Sequence, residues 1–163
     1  MDVTAPNPSP AAGPANADET VRQLNSLLRG EIAAAETYRM AIDKLAGGGK
    51  AENVGLLQGI QEEHGRAAQA VRDRIQELGG EASDSSGAWG AWAKTVQGTM
   101  NLFGDASSLK ALKEGEEHGL KDYQGALAAV DPTSGQLIQN QMIPAQQRHI
   151  GRLDQLIGAA GTA

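Results

Sequence analysis

The sequence contains no cysteine, which removes disulfides, thiolate zinc sites and cysteine nucleophiles together. Any metal is left to oxygen and imidazole nitrogen. Aromatic residues are 3% of the chain, with two Trp, two Tyr and one Phe, and this scarcity beside abundant alanine and leucine favours helices over sheets. Positive charge is also short: 14 Lys and Arg against 20 Asp and Glu leave a net charge of -6. Such a balance argues against nucleic acid and anionic lipid as partners, because both are negatively charged. No apolar run is long enough to span a bilayer, and the start of the sequence shows no basic segment followed by an apolar one, so the chain reads as cytoplasmic with no membrane partner. Phosphate loops, serine triads and dinucleotide fingerprints are missing as well.

What is present has room for one domain in 163 residues. Residues 1–18, rich in Pro, Ala, Asn and Gly, lack any apolar period and are expected to be a disordered tail. Residues 19–158 carry four stretches of helical periodicity, at about 20–45, 51–78, 107–130 and 136–157. Asp18 or Thr20 offers a cap for the first. Glycine runs at 47–49 and 79–80 end the first two, and Asp131-Pro132-Thr133-Ser134-Gly135 turns the chain before the fourth. Pro144 is expected to kink that last helix. Between the second and third lies a crossover at 81–105, with Trp89, Trp92, Val96, Met100 and Phe103 at the spacing of one short amphipathic helix. This segment is expected to pack on the bundle or to form a homodimer contact. Residues 159–163 should fray.

The first helix raises a chemical question. Its apolar stripe runs Val21, Leu24, Leu28, Glu31, Ala35, Tyr38, Ile42 and Leu45, so a carboxylate and a phenol occupy core positions. A buried carboxylate needs a partner or a metal. The other stripes supply candidates: His64 on the second helix, Glu116 and Tyr123 on the third, and His149 on the fourth.

Shifting the sequence by 85 residues lays the second half on the first. Leu24 falls on Leu109, Leu27 on Leu112, Gly30 on Gly115, Glu31 on Glu116 and Tyr38 on Tyr123. With no gap, Gln61 falls on Gln146 and His64 on His149. The coincidences are polar residues on apolar faces, the signature of a duplicated helical hairpin. Two such hairpins would aim Glu31, Glu116, His64 and His149 at one place. Tyr38 and Tyr123, two turns beyond the glutamates, would lie roughly 10 Å away along the axis and cap the cluster.

These residues resemble the ferritin-like superfamily of ferritins, bacterioferritins and rubrerythrins, an all-α antiparallel four-helix bundle made of two pseudo-symmetric hairpins joined by a long crossover. Gly79-Gly80, Gly87-Ala88-Trp89-Gly90-Ala91-Trp92 and Gly115-Glu116-Glu117-His118-Gly119 are closer still to a bacterial ferritin-like bundle family of unassigned function. The resemblance implies a metal site of Glu31, His64, Glu116 and His149, with Fe(II) oxidation or iron and oxidative-stress handling as its activity. It also implies Glu-x-x-His on helices two and four, where this chain has Gln61 and Gln146. Two divalent ions bring four positive charges, whereas Glu31 and Glu116 supply two negative ones, so a single ion balances. Iron, zinc, manganese or cobalt suits this donor set, with the glutamines as weak or outlying ligands and the tyrosines as redox or hydrogen-bonding groups.

Glu62, Glu63, Glu114 and Glu117 lie beside the stripes and are expected on solvated faces or in surface ion pairs, with Glu36 and His118 also off the stripe. The competing expectation is a metal-free structural or stress-associated interaction protein in which the same Glu, His and Tyr side chains form a satisfied hydrogen-bond network.

Overall fold

The computed structural model describes residues 16–46 and 51–160, with side chains described except at 51–52, 92–93, 95–97 and 99–105. Helix α1 spans Ala17–Ala46, α2 Ala51–Glu77, α3 Gly90–Ala126, α4 Pro132–Leu137 and α5 Ile143–Ala160. A 3-10 turn, Gly87–Trp89, precedes α3, and a π-helical turn, Ile138–Met142, joins α4 to α5 in one continuous rod. The chain is an all-α, ferritin-like four-helix bundle. No described helix is long and apolar enough to cross a membrane.

Two apolar clusters fix the directions of the helices. At one end Leu24, Leu27 and Leu28 pack with Val71 and Ile75, with Tyr123 and Val130, and with Ile138 and Met142. At the other end Tyr38, Ile42 and Leu45 pack with Leu57 and Ile60, with Leu109 and Leu112, and with Leu153. Residue numbers rise from the first cluster to the second in α1 and in the α4–α5 rod, and fall in α2 and α3. Since α2 and α3 run parallel, the chain between them must travel the length of the bundle.

It does so along α1. The Asn25 side chain donates to the Glu81 carbonyl and accepts from the Ser83 backbone N–H, Arg29 donates to Ser83 Oγ, and Ser86 Oγ donates to Glu36. These anchors climb from position 25 to 36, about 16 Å at 1.5 Å per residue. The helical run of α3 is not one straight rod: a straight helix would hold Trp89 and His118 about 43 Å apart, yet their rings lie 5.1 Å apart. The chain therefore reverses between them, giving a short limb and then the long limb that carries Glu116. Trp89 packs within its own chain. The expected contact side chains Trp92 and Phe103 lie outside the described residues, as does the segment 1–15.

The helix ends depart from expectation in informative ways. Asn16, rather than Asp18 or Thr20, caps α1, its side chain accepting from Glu19 N at 2.7 Å. Thr20 is instead fully buried and accepts from Asp131 N at 3.0 Å. The expected turn at 131–135 is already helix, because Asp131 caps the backbone N–H groups of Thr133 and Ser134 and Pro132 takes the first position, where no donor is needed. Arg74 of α2 reaches Asp131 at 3.0 Å and Ser134 Oγ at 3.0 Å, tying α2 to this cap. The irregularity expected at Pro144 takes the form of the π turn just before it. Widening that turn relieves the clash of the ring with the carbonyl four residues back. After α2, Gly79 adopts φ +73°, and the Gly80 N–H returns to the Ile75 carbonyl at 2.9 Å, closing the helix with a left-handed residue.

Candidate metal centre

Between the two apolar clusters lies one polar layer. Glu31, His64, Glu116 and His149 are each 2% exposed or less, one from each helical rod. His64 stands between two carboxylates, with Nδ1 2.8 Å from Glu31 Oε2 and Nε2 3.0 Å from Glu116 Oε1. His149 has Nδ1 3.3 Å from Glu116 Oε2 and Nε2 3.1 Å from Glu63 Oε2. The two rings sit 4.9 Å apart. Glu116 is thus the hub, touching both histidines, while Glu31 touches one.

This packing sets the charges. Burial works to lower the His64 pKa, but Glu31 and Glu116 on either side overcome it and push it up to about 10. Burial would raise Glu116, yet His64 and His149 bring it down to about 2. Carboxylates at both ring nitrogens thus favour the charged form of His64. Every buried side-chain nitrogen and oxygen among the described residues has a hydrogen-bond partner.

The tyrosines part company. Tyr38 Oη donates to Glu116 Oε1 at 2.5 Å, and its ring lies 5.4 Å from that of His64. It joins the cluster rather than capping it from 10 Å away, because α1 and α3 are antiparallel and the long side chain slants back to the Glu116 level. Burial first, and then the Glu116 charge, raise its pKa well above the usual phenol value. Tyr123 is buried in the apolar cluster at the far side. The glutamines serve backbone carbonyls: Gln61 Nε2 donates to Ala35 O at 3.3 Å and Gln146 Nε2 to Glu116 O at 3.0 Å.

His64, Glu116 and His149 each offer one ligand atom within 4.8 Å of the others. Two donors at about 2.1 Å from one ion stand roughly 3–3.5 Å apart, so these three atoms would draw closer together to share one ion. Glu31 is placed behind His64 rather than among the three.

A family model described as a domain of unknown function, DUF2383, matches residues 19–129, more than half of the sequence. The chain belongs to that family. A solved structure from Bacillus anthracis str. Ames, titled as ferritin like, diiron-carboxylate proteins, superposes with a TM-score of 0.70 at 17% identity, covering 87% of this chain and 97% of that one. At that identity the likeness is one of fold. No curated protein matches the sequence.

In this DUF2383 chain the layer is reached from outside through a cleft between α1 and α3. Glu31, Glu116, Tyr38 and His64 lie along it, Gly30 and Gly115 form part of its wall, and Trp89 and His118 stand among its lining residues. A Cβ on Gly30 would meet nothing within 4 Å, so the wall of the cleft has room for a side chain there.

Of the residues expected at the surface, Glu62 pairs with Arg66 at 3.8 Å and Glu117 with Lys113 at 3.5 Å, while Glu114 is exposed. His118 is exposed, between Trp89 and Asp122. Glu63 makes the ion pairs expected of it, yet it also reaches the polar layer. It is bonded to His149 and to Arg148 and Arg152 at 3.2 and 3.0 Å. Burial would raise its pKa, but His149 and the two arginines bring it down to about 2. A signal was available: under the 85-residue shift Glu63 coincides with Arg148, opposite charges at positions that a twofold relation brings face to face.

Proposed function

We propose that this bundle binds one divalent transition-metal ion through His64, Glu116 and His149, and that it belongs to iron and oxidative-stress handling. The observation that carries the reading is the convergence of three buried ligand atoms within 4.8 Å, on three separate helices. Two nitrogens and a carboxylate suit iron, zinc, manganese or cobalt. Three protein donors leave a position open, as catalytic metal sites do. An iron ion held here would supply one-electron chemistry toward oxygen or peroxide, and Fe(II) arriving by the cleft would be the substrate of a ferroxidase-like reaction. The chain's own part is to hold the ion, with Tyr38 donating to the ligand Glu116 and Glu31 fixing the His64 ring. The paired glutamates and glutamines of the 85-residue shift make a duplicated hairpin the natural origin of the layer.

A second reading is favoured by one observation: every described buried side-chain nitrogen and oxygen is already satisfied without an ion. In that case the layer is a polar network that sets helix register, and the protein works through its surface. Metal content after anaerobic loading with Fe(II) or Zn(II) separates the two. The first reading requires wild type to retain metal that a His64→Ala/His149→Ala variant loses, and equal retention overturns it. Oxygen uptake on Fe(II) addition at the protein-free rate would remove the oxidase part alone.

A further inference from the structure

We infer that Glu63, clamped by Arg148 and Arg152, is a positioning residue that turns His149 so that Nδ1 faces the ion, and that the two histidines therefore bind through opposite ring nitrogens. This rests on the metal-binding reading and adds a residue to it.

An imidazole ligates through one nitrogen, and the hydrogen bond made by the other decides which one is left with a lone pair. For His64 the choice is made by Glu31: Nδ1 points to its carboxylate at 2.8 Å, so Nε2 is the nitrogen that faces Glu116. For His149 the pattern is reversed. Nε2 points to Glu63 Oε2 at 3.1 Å, and Nδ1 faces Glu116 Oε2 at 3.3 Å. The orienting carboxylates differ in kind. Glu31 is enclosed in the core, whereas the Glu63 side chain is 18% exposed and could turn toward water if left alone. The arginines prevent that: Arg148 Nη2 donates to Oε2 at 3.2 Å and Arg152 Nη1 to Oε1 at 3.0 Å, so each carboxylate oxygen has its own guanidinium. All three partners of Glu63 lie on α5 and Glu63 itself on α2, next to His64. The clamp therefore fixes one helix against the other at the level of the ligands.

The test uses the full chain with ¹⁵N-labelled histidine, loaded with Zn(II). Long-range ¹H–¹⁵N correlation should show one histidine bound through Nε2 and one through Nδ1, with His118 unbound. Glu63→Ala should weaken Zn(II) binding about 10- to 100-fold and erase the Nδ1-bound pattern. Glu63→Gln, which keeps an acceptor oxygen, should retain the pattern with a smaller loss. Binding of both histidines through the same nitrogen would overturn the inference, and so would a Glu63→Ala affinity within twofold of wild type, the result of a merely structural ion pair. If wild type takes up no zinc, the site reading falls and the clamp with it. If zinc binds but these two results appear, the clamp alone falls.

Discussion

The Glu31–His64 half of the polar layer and the Glu116–His149 half occupy corresponding positions along the sequence, yet their surroundings are unlike. Glu31 has one histidine for company; Glu116 has two histidines and a tyrosine. His64 is enclosed by two buried carboxylates, whereas His149 leans on Glu63 near the surface. Equivalent spacing has therefore produced a hub on α3 and a support on α1. The difference arises because the partners at the edge are not equivalent: Glu63 corresponds to Arg148, so one half contributes the carboxylate and the other its cation. A repeated sequence pattern can thus yield an asymmetric polar layer.

The largest expected effect separates the two glutamates. Glu116→Ala strips partners from both buried histidines and should cost about 3–5 kcal/mol in the metal-free protein, while Glu31→Ala, which strips one, should cost about 1–3 kcal/mol. Urea unfolding reads both, and equal losses would erase the distinction between hub and support.

The dependence of stability on pH divides the halves again. His64 has its pKa raised to about 10, so the stabilisation it gives is complete below its ordinary value of 6.5 and is lost as pH rises through about 10. Glu116 and Glu63 are held down to about 2, so theirs is complete above 4.5 and is lost as pH falls through about 2. Glu31→Gln should shrink the alkaline limb, since Glu31 is one of the two carboxylates that raise His64. Unfolding curves across pH 2–10 would show it, and an alkaline limb as large as that of wild type would mean that Glu116 alone holds the His64 charge.

The tyrosines sharpen the contrast on a smaller scale. Tyr38→Phe removes a hydrogen bond to a buried carboxylate and should cost about 1.5–3 kcal/mol, whereas Tyr123→Phe should stay within about 0.5 kcal/mol. A reversed order in thermal or urea unfolding would move the hub from Glu116 to Glu31. Smaller than the Tyr38 loss is that of Gly119→Ala. Its Cβ would stand 2.8 Å from Gln146 Nε2, so the flexible amide must shift off the Glu116 carbonyl, at about 0.5–1 kcal/mol. An unchanged Gln146 side-chain amide resonance would show that no shift occurs.

Much of this could be read from the residues alone. Heptad spacing placed Leu24, Leu28, Ile42, Leu57, Val71 and Leu153 in the core, and all six are buried. Glu31, His64, Glu116 and His149 were legible because polar side chains on apolar stripes must be satisfied. Periodicity is silent, however, on reach and direction. It put Tyr38 two turns from Glu116, since it counts Cα levels along one helix and ignores where a phenol on an antiparallel neighbour arrives. It did not join Glu63 to the layer, because a residue adjacent to the stripe meets His149 only when a second helix brings that ring and two arginines to it. It read Asp131–Gly135 as a turn where those residues cap and begin a helix, as Asp-Pro can do either.

In the proposed site three of the four layer residues hold one ion while Glu31 stands behind. Equilibrium dialysis against Co(II) with wild type, Glu116→Ala and Glu31→Ala, read as ions per chain, distinguishes the roles. Wild type should bind one ion, Glu116→Ala none, and Glu31→Ala one more weakly. Two ions per wild-type chain, or the same loss in both variants, would rule this arrangement out.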